Sequence, residues 1–357
     1  MGKKAVLFLL LCLALTLGAF AAGDPLVSLS YLTGGYQRDL EAEIDRRLDA
    51  AALPDASQDA GGGASSAASP FWKESRLKRA DLLLGSTGDS VLLLAGSAEV
   101  TYPFGAVVDA TSGAVVPSGA SLAPNHRYLV AEDTAASFTV TSKTAVVDCQ
   151  GGCTFAYSGE ADYNAMASAL KTLGLFRGSF TGYGQGFDLE VAPTRLQALI
   201  MFIRVLGEEE EALAWEGSTP FEDIQPGTQA AQYVGYAYER GYTNGYSATQ
   251  FRPSAAVNAY QYTEFLLRAM GYSNADNTVL SDALLRARDA DLLTPGEAAA
   301  LEQGPFLRAD LAYLSYYTLD TLLADGRQTL AESLIERGAF SLRDWEDASA
   351  QVTGWRL

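Results

Sequence analysis

The chain has 357 residues and 48% hydrophobic content, with 43 Asp and Glu against 25 Lys and Arg, a formal charge of −18. This is a globular composition, and the length suits two or three domains. So negative a chain gains nothing from counterion release on nucleic acid and is repelled by anionic lipid, which excludes both as expected partners. An anionic polymer must be met in local pockets, against the protein's own field.

Lys3 and Lys4 precede a run, Ala5 to Leu17, that is apolar apart from Thr16, and Ala19-Phe20-Ala21 supplies the small residues a signal peptidase reads. A signal peptide over 1–21 is therefore predicted, and its removal takes two lysines and leaves −20. Cys12 lies inside the apolar run, with more apolar sequence after it, which argues against a lipid attachment site. No later stretch is long and apolar enough to span a bilayer, so the exported chain is expected outside the cell without a membrane span. In 22–53, Leu40, Ile44, Leu48 and Ala52 recur at four-residue steps and predict an amphipathic helix, which Pro54 ends. Residues 54–72 read as a flexible linker, since Asp55 to Pro70 carries no large apolar residue.

Over 73–160 the pattern changes to short strand-like runs, such as Ser90 to Leu94, Tyr128 to Val130 and Phe138 to Thr141. Turn-forming breaks such as Ser112-Gly113 and Pro124-Asn125 separate them, which predicts a small all-β sandwich or barrel. Cys149 and Cys153 flank a turn-like Gln150-Gly151-Gly152; they form a hairpin disulfide or remain two thiols, with the disulfide favoured in an exported chain. A single histidine, His126 at the start of a strand, leaves no zinc pattern and no Ser-His-Asp or Cys-His arrangement. No metal and no cofactor are expected.

From 161 the helical period takes over, with an internal repeat. Segments Thr194–Gly207, Asn258–Gly271 and Leu307–Asp320 align; the first two match at Gln197/Gln261, Arg204/Arg268 and Gly207/Gly271, and Arg308 aligns with Arg195. Each is apolar over most of its circumference, and a shorter amphipathic helix precedes each, around Ala165–Leu173, Ala230–Arg240 and Ser281–Ala290. No unit could bury its apolar helix alone, so the three units, about 161–215, 216–274 and 275–325, imply one domain around a three-helix core. A C-terminal helix and tail are expected over 326–357.

The second unit carries Phe221-Glu-Asp223, Tyr233 to Gly241, Gly245 and Phe251-Arg-Pro253, then an apolar helix closing in Arg268-Ala-Met-Gly271. This pattern resembles an S-layer homology (SLH) repeat, and Pro193-Thr-Arg-Leu-Gln197 resembles that family's Thr-Arg-Ala-Glu signature. The resemblance covers roughly 163–324. It implies a pseudo-trimeric all-α domain behind the β module, making the whole a multidomain α+β chain. It also implies inter-repeat grooves for secondary cell-wall polysaccharide, often pyruvylated and anionic, and a place in the cell wall or surface layer of a bacterium.

The residues themselves say part of this. Thr194 with Gln197 is a capping box, as is Asn258 with Gln261, each cap worth about 1 kcal/mol. Capping does not explain Arg195, whose charge in the first turn opposes the helix dipole by about 0.3–1 kcal/mol. A helix N-terminus with free N–H groups and a guanidinium is a ready carboxylate site, so the compensating anion is either a ligand or a protein carboxylate. Arg308 is expected to be structural more often than ligating. Ala259 stands where the second repeat should have arginine, Leu307 where the third should have a capping hydroxyl, and Gln197, Gln261 and Asp310 where the family has glutamate. Of the crowded aromatics of the second unit, Tyr242 and Tyr246 in its loop are the sugar-stacking candidates. The acidic runs, Glu208 to Glu211 among them, read as solvated faces and specify no catalytic cleft.

The expected function is that of a non-enzymatic secreted surface protein. Its repeats hold secondary cell-wall polysaccharide or a peptidoglycan-linked glycan through Thr194, Arg195, Gln197, Tyr242, Tyr246 and Arg308, while the β module is displayed or contacts surface proteins. The alternative is a structural or protein–protein module that has lost glycan binding; a wall-active glycosidase is more distant.

Overall fold

The computed structural model describes residues 69–177, 186–273 and 279–357. The predicted signal peptide, N-terminal helix and most of the linker lie outside the described residues. The linker expectation fails at its end. Strand β1 (Ser69–Lys78) starts inside it, because its backbone continues a ladder that pairs Lys73–Lys78 with Cys149–Thr144 and reaches Ser69 opposite Gly151.

Ten more strands follow: β2 (Leu82–Ser86), β3 (Ser90–Ala95), β4 (Ala98–Thr101), β5 (Val107–Asp109), β6 (Ala114–Val116), β7 (Ala120–Ser121), β8 (Arg127–Val130), β9 (Ala135–Val140), β10 (Thr144–Gly151) and β11 (Thr154–Ala156). They form two antiparallel sheets, ordered β1-β10-β3-β8-β5-β6 and β11-β2-β9-β4-β7. Alternation decides the faces: Ala136, Phe138 and Val140 of β9 point inward, as do Tyr128 and Val130 of β8. With Leu83, Val91, Leu93, Val100 and Val147 they form one core between the sheets, a β sandwich. Cys149 and Cys153 are joined in a disulfide between β10 and β11.

Three carboxylates buried in this module serve its turns. Asp89 accepts from Ser86 N (2.8 Å) and Gly152 N (2.7 Å); Asp109 accepts from Thr111 N and Ser112 N; Asp81 accepts from Lys78 N and Ser158 N and pairs with Lys78. His126 Nδ1 lies 2.7 Å from Asp109, so the one histidine is part of a turn.

Helices α1 (Tyr163–Thr172), α2 (Arg195–Val205), α3 (Glu209–Leu213), α4 (Gln229–Glu239) and α5 (Ala259–Ala269) come next. After a 3₁₀ turn (Leu280–Asp282) follow α6 (Ala283–Asp289), α7 (Pro295–Gln303), α8 (Arg308–Leu319), α9 (Leu330–Glu336) and α10 (Leu342–Ser349). The expected C-terminal helix is thus two helices, broken by Gly338 at φ +79° and restarted by the Ser341 cap. The long helices α2, α5 and α8 touch one another at the centre. Each short helix lies on the long helix of the unit before it: α4 on α2, α6 on α5 and α1 on α8. The last pairing closes the units into a ring. The turn leaving each short helix is made alike, with two successive N–H groups bonded to one carbonyl: Leu175 and Phe176 to Leu170, Tyr242 and Thr243 to Ala237, Leu292 and Leu293 to Ala287.

The sandwich and the ring are in contact. Lys143 pairs with Asp310 of α8, and the Lys78 ammonium lies over the Tyr157 ring at the junction between β11 and α1.

Candidate functional site

Helix α2 begins as the sequence predicts. Thr194 Oγ1 accepts from Gln197 N, and the Gln197 side chain accepts from Thr194 N. Asn258 and Gln261 repeat the device on α5, whereas on α8 only the return bond is made, from Leu307 N to Asp310. The N–H groups expected to be free are taken. Arg195 N and Leu196 N bond the carbonyls of Ala255 and Pro253 in the next unit; Arg308 N and Ala309 N bond those of Val191 and Leu189. Docking of one unit on another consumes these donors, so anion recognition here falls to side chains.

Arg195 projects from this first turn under the loop of the second unit. It is 6% exposed, and its guanidinium lies 5.0 Å from the Phe251 ring centroid and 5.6 Å from that of Phe265. Its Nη2 donates to Gly245 O at 3.2 Å, while Nε is buried without a hydrogen-bond partner. Among the described residues Arg195 makes no ion pair. Burial, with Arg268 nearby adding repulsion, lowers its pKa to about 10. Asp223, in the same unit as the covering loop, accepts from Phe251 N and Arg252 N and fixes that loop.

Arg195 opens onto a cavity of about 230 Å³, with Asn244, Tyr246, Gln261, Glu264 and Arg268 also in its wall. Glu264 is bound by Arg268 (2.7 Å) and Arg286 (2.6 Å) and accepts from Ser273, so the one carboxylate of the lining among the described residues is satisfied without Arg195. Tyr246 is 56% exposed at the rim, and Arg252 stacks on its ring at 3.4 Å.

A second cavity, of about 370 Å³, occupies the matching place one unit round the ring. Arg308 replaces Arg195, donating to Phe187 O and lying over the Phe176 ring, and the α2 residues Gln197, Ile200, Met201 and Arg204 replace Gln261, Glu264, Phe265 and Arg268. Burial lowers the pKa of Arg308, with Asp188 partly offsetting this. Among the described residues Arg177 completes a wall with three arginines and no carboxylate. Glu209, just outside that lining, pairs with both Arg204 and Arg177; burial opposes its charge, but hydrogen bonds from Tyr233 and Arg204 hold its pKa below the usual range.

The six expected residues thus divide. Arg195 and Tyr246 meet in the first cavity, Gln197 and Arg308 in the second, and Thr194 is a cap. Tyr242 lies outside both linings. Its hydroxyl is bound to Glu208 beside Tyr236, its ring packs edge-on against Phe202, and burial, reinforced by Glu208, pushes its pKa up. Glu208 and Glu209 therefore depart from the solvated face expected of the acidic run. The arginines at the tenth position after each cap, Arg204 and Arg268, are groove residues that sequence reasoning aligned but left without a role; their shared place in the repeat was the available signal.

Residues 220–258 match the S-layer homology domain family. The matched stretch contains Thr243, Gly245, Tyr246 and Phe251, the loop that covers Arg195. A cell surface protein of Thermoanaerobacter kivui is 28% identical over 157 residues, 43% of this chain and 20% of that protein. The chain spans about a fifth of the length of this relative. It is an SLH-domain-containing protein, with an all-β module ahead of its helices.

Proposed function

We propose that this is a cell-surface protein that attaches to cell-wall polysaccharide through two grooves between its helical units, and that it acts by binding rather than by catalysis. Arg195 carries the reading. A guanidinium that is buried, has no carboxylate partner among the described residues and faces a cavity is a poor way to stabilise a fold, and it suits an anionic group that enters from outside. Arg268 beside it and an exposed Tyr246 ring at the rim supply a second cation and a face for sugar C–H groups. The second groove likewise sets cations, Arg177, Arg204 and Arg308, against an apolar wall. In a chain of −18, two pockets that among the described residues hold more arginine than carboxylate are the local sites an anionic wall polymer requires. The β module is then displayed from the wall.

Retention on purified sacculi tests this, with intact walls compared to walls stripped of secondary polysaccharide. Wild type should be retained on intact walls only. Arg195→Ala and Arg308→Ala should each weaken retention at least about tenfold, as loss of one charge-assisted contact predicts. Equal failure of wild type on both walls would refute attachment and leave the alternative, a structural module on the same scaffold.

A further inference from the structure

The two cavities use the same helix positions, the third, sixth, seventh and tenth after each cap. On α8 these are Asp310, Tyr313, Leu314 and Tyr317, and they are already engaged by parts of the chain outside the three units. Lys143 of the β module pairs with Asp310. Residues 354–357 lie across the rest. Arg356 stacks on Tyr317 with its guanidinium 4.4 Å from the ring centroid, Leu357 N donates to the Tyr313 hydroxyl, and Leu357 O accepts from Thr294. Thr294 holds the loop place that Asn244 has in the first cavity.

The electrostatics of this groove are reversed. The residue at the Arg195 place is Ala259, and the charge in the wall is Glu297, 1% exposed. Its carboxylate accepts from Thr294 N at 2.6 Å and from the Tyr313 hydroxyl at 2.6 Å, and Arg356 binds both oxygens at 2.7 and 3.1 Å. Arg356 also donates to Leu292 O at 2.9 Å. The same segment grips the module junction. Trp355 N donates to Gly159 O, and Gly354 sits where a Cβ would fall 2.6 Å from Glu160 O and 2.8 Å from Asp162 N.

We propose that the third groove is a site for an arginine-bearing peptide segment, filled in cis by residues 354–357, and that this strap clasps the β11–α1 junction to the ring. The domain then offers two grooves to the wall, not three. The count of two rests on the proposed wall attachment; the strap does not.

The test is hydrogen exchange on the full-length protein with Arg356→Ala, using exposed Arg327→Ala as control. Arg356→Ala should raise amide exchange at least tenfold both at 159–162 and in the first turn of α7. Ethylguanidinium chloride should restore protection at α7 in that variant while leaving wild type unchanged. Unchanged exchange at 159–162, or no rescue by ethylguanidinium, would overturn the strap. Should Arg356→Ala fail to fold, Glu297→Gln/Arg356→Met, which leaves no charge unpaired, serves for the exchange measurement at 159–162. On sacculi, Arg356→Ala should be retained as wild type is; a selective tenfold loss would make the third groove a glycan site and overturn the proposal. If neither protein is retained but the exchange pattern appears, attachment fails and the strap stands.

Discussion

The sandwich and the helical ring both bury charge, and the Asp81, Asp89 and Asp109 set of the one and Arg195 of the other are treated in opposite ways. Asp81, Asp89 and Asp109 each accept backbone N–H groups, so every buried carboxylate of that set holds a turn. In the ring, Arg195 is buried with one hydrogen bond to Gly245 O, a long contact to Thr243 and an idle Nε. A satisfied charge marks architecture, whereas an unsatisfied one beside a cavity marks a place for something else. Asp223 shows that the distinction follows partners rather than modules, since it fixes a loop of the ring as Asp89 fixes a turn of the sandwich.

The contrast breaks most visibly at Asp89. Asp89→Ala removes the charged acceptor of the Ser86 and Gly152 N–H groups and should destabilise the protein by on the order of 3 kcal/mol in urea unfolding; a loss below about 1 kcal/mol would remove its structural status. Arg195→Met sharpens the other side. Because burial opposes this charge, the substitution should leave stability unchanged or raise it by up to about 2 kcal/mol while weakening wall retention at least about tenfold. Loss of more than about 2 kcal/mol would place Arg195 with the turn carboxylates as an architectural group.

The smallest effect concerns a charge that neither rule satisfies. Asp148 of β10 stands opposite Glu74 in the ladder, and burial, then the Glu74 charge, raises its pKa. A carboxyl raised in the fold contributes stability at low pH and loses it as pH climbs through its folded value. Asp148→Asn should therefore stabilise by about 0.5 kcal/mol at pH 7. The advantage should fade below about pH 4, where the carboxyl is protonated in either state. Melting temperatures at the two pH values check this, and an advantage that grows on acidification would contradict it.

What the sequence disclosed was local. The caps at Thr194 and Asn258 need only residues three apart, and the repeat made the long helices and their order readable. The strand runs gave the β module because alternation is local too. The grooves depend on which helix follows which around the ring, and one sequence does not state that. Tyr242 looks exposed from its place in a loop, yet Glu208, from the acidic run, reaches its hydroxyl. Arg204 and Arg268 were visible as a matched pair, but only helix rotation against the next unit turns them toward a cavity. Arg356 had no signal at all, since its partner Glu297 lies on a helix, α7, that the repeat pattern did not anticipate.

The closure of the ring has a consequence for how the chain reaches its native state. Helix α1, starting at Tyr163, takes its place on α8, which starts only at Arg308. The first unit therefore waits for the last, and contacts so distant along the chain form slowly. Until α8 is available the helical half has no complete partner set, so a chain in which α8 is not yet free stays open over the whole of that half.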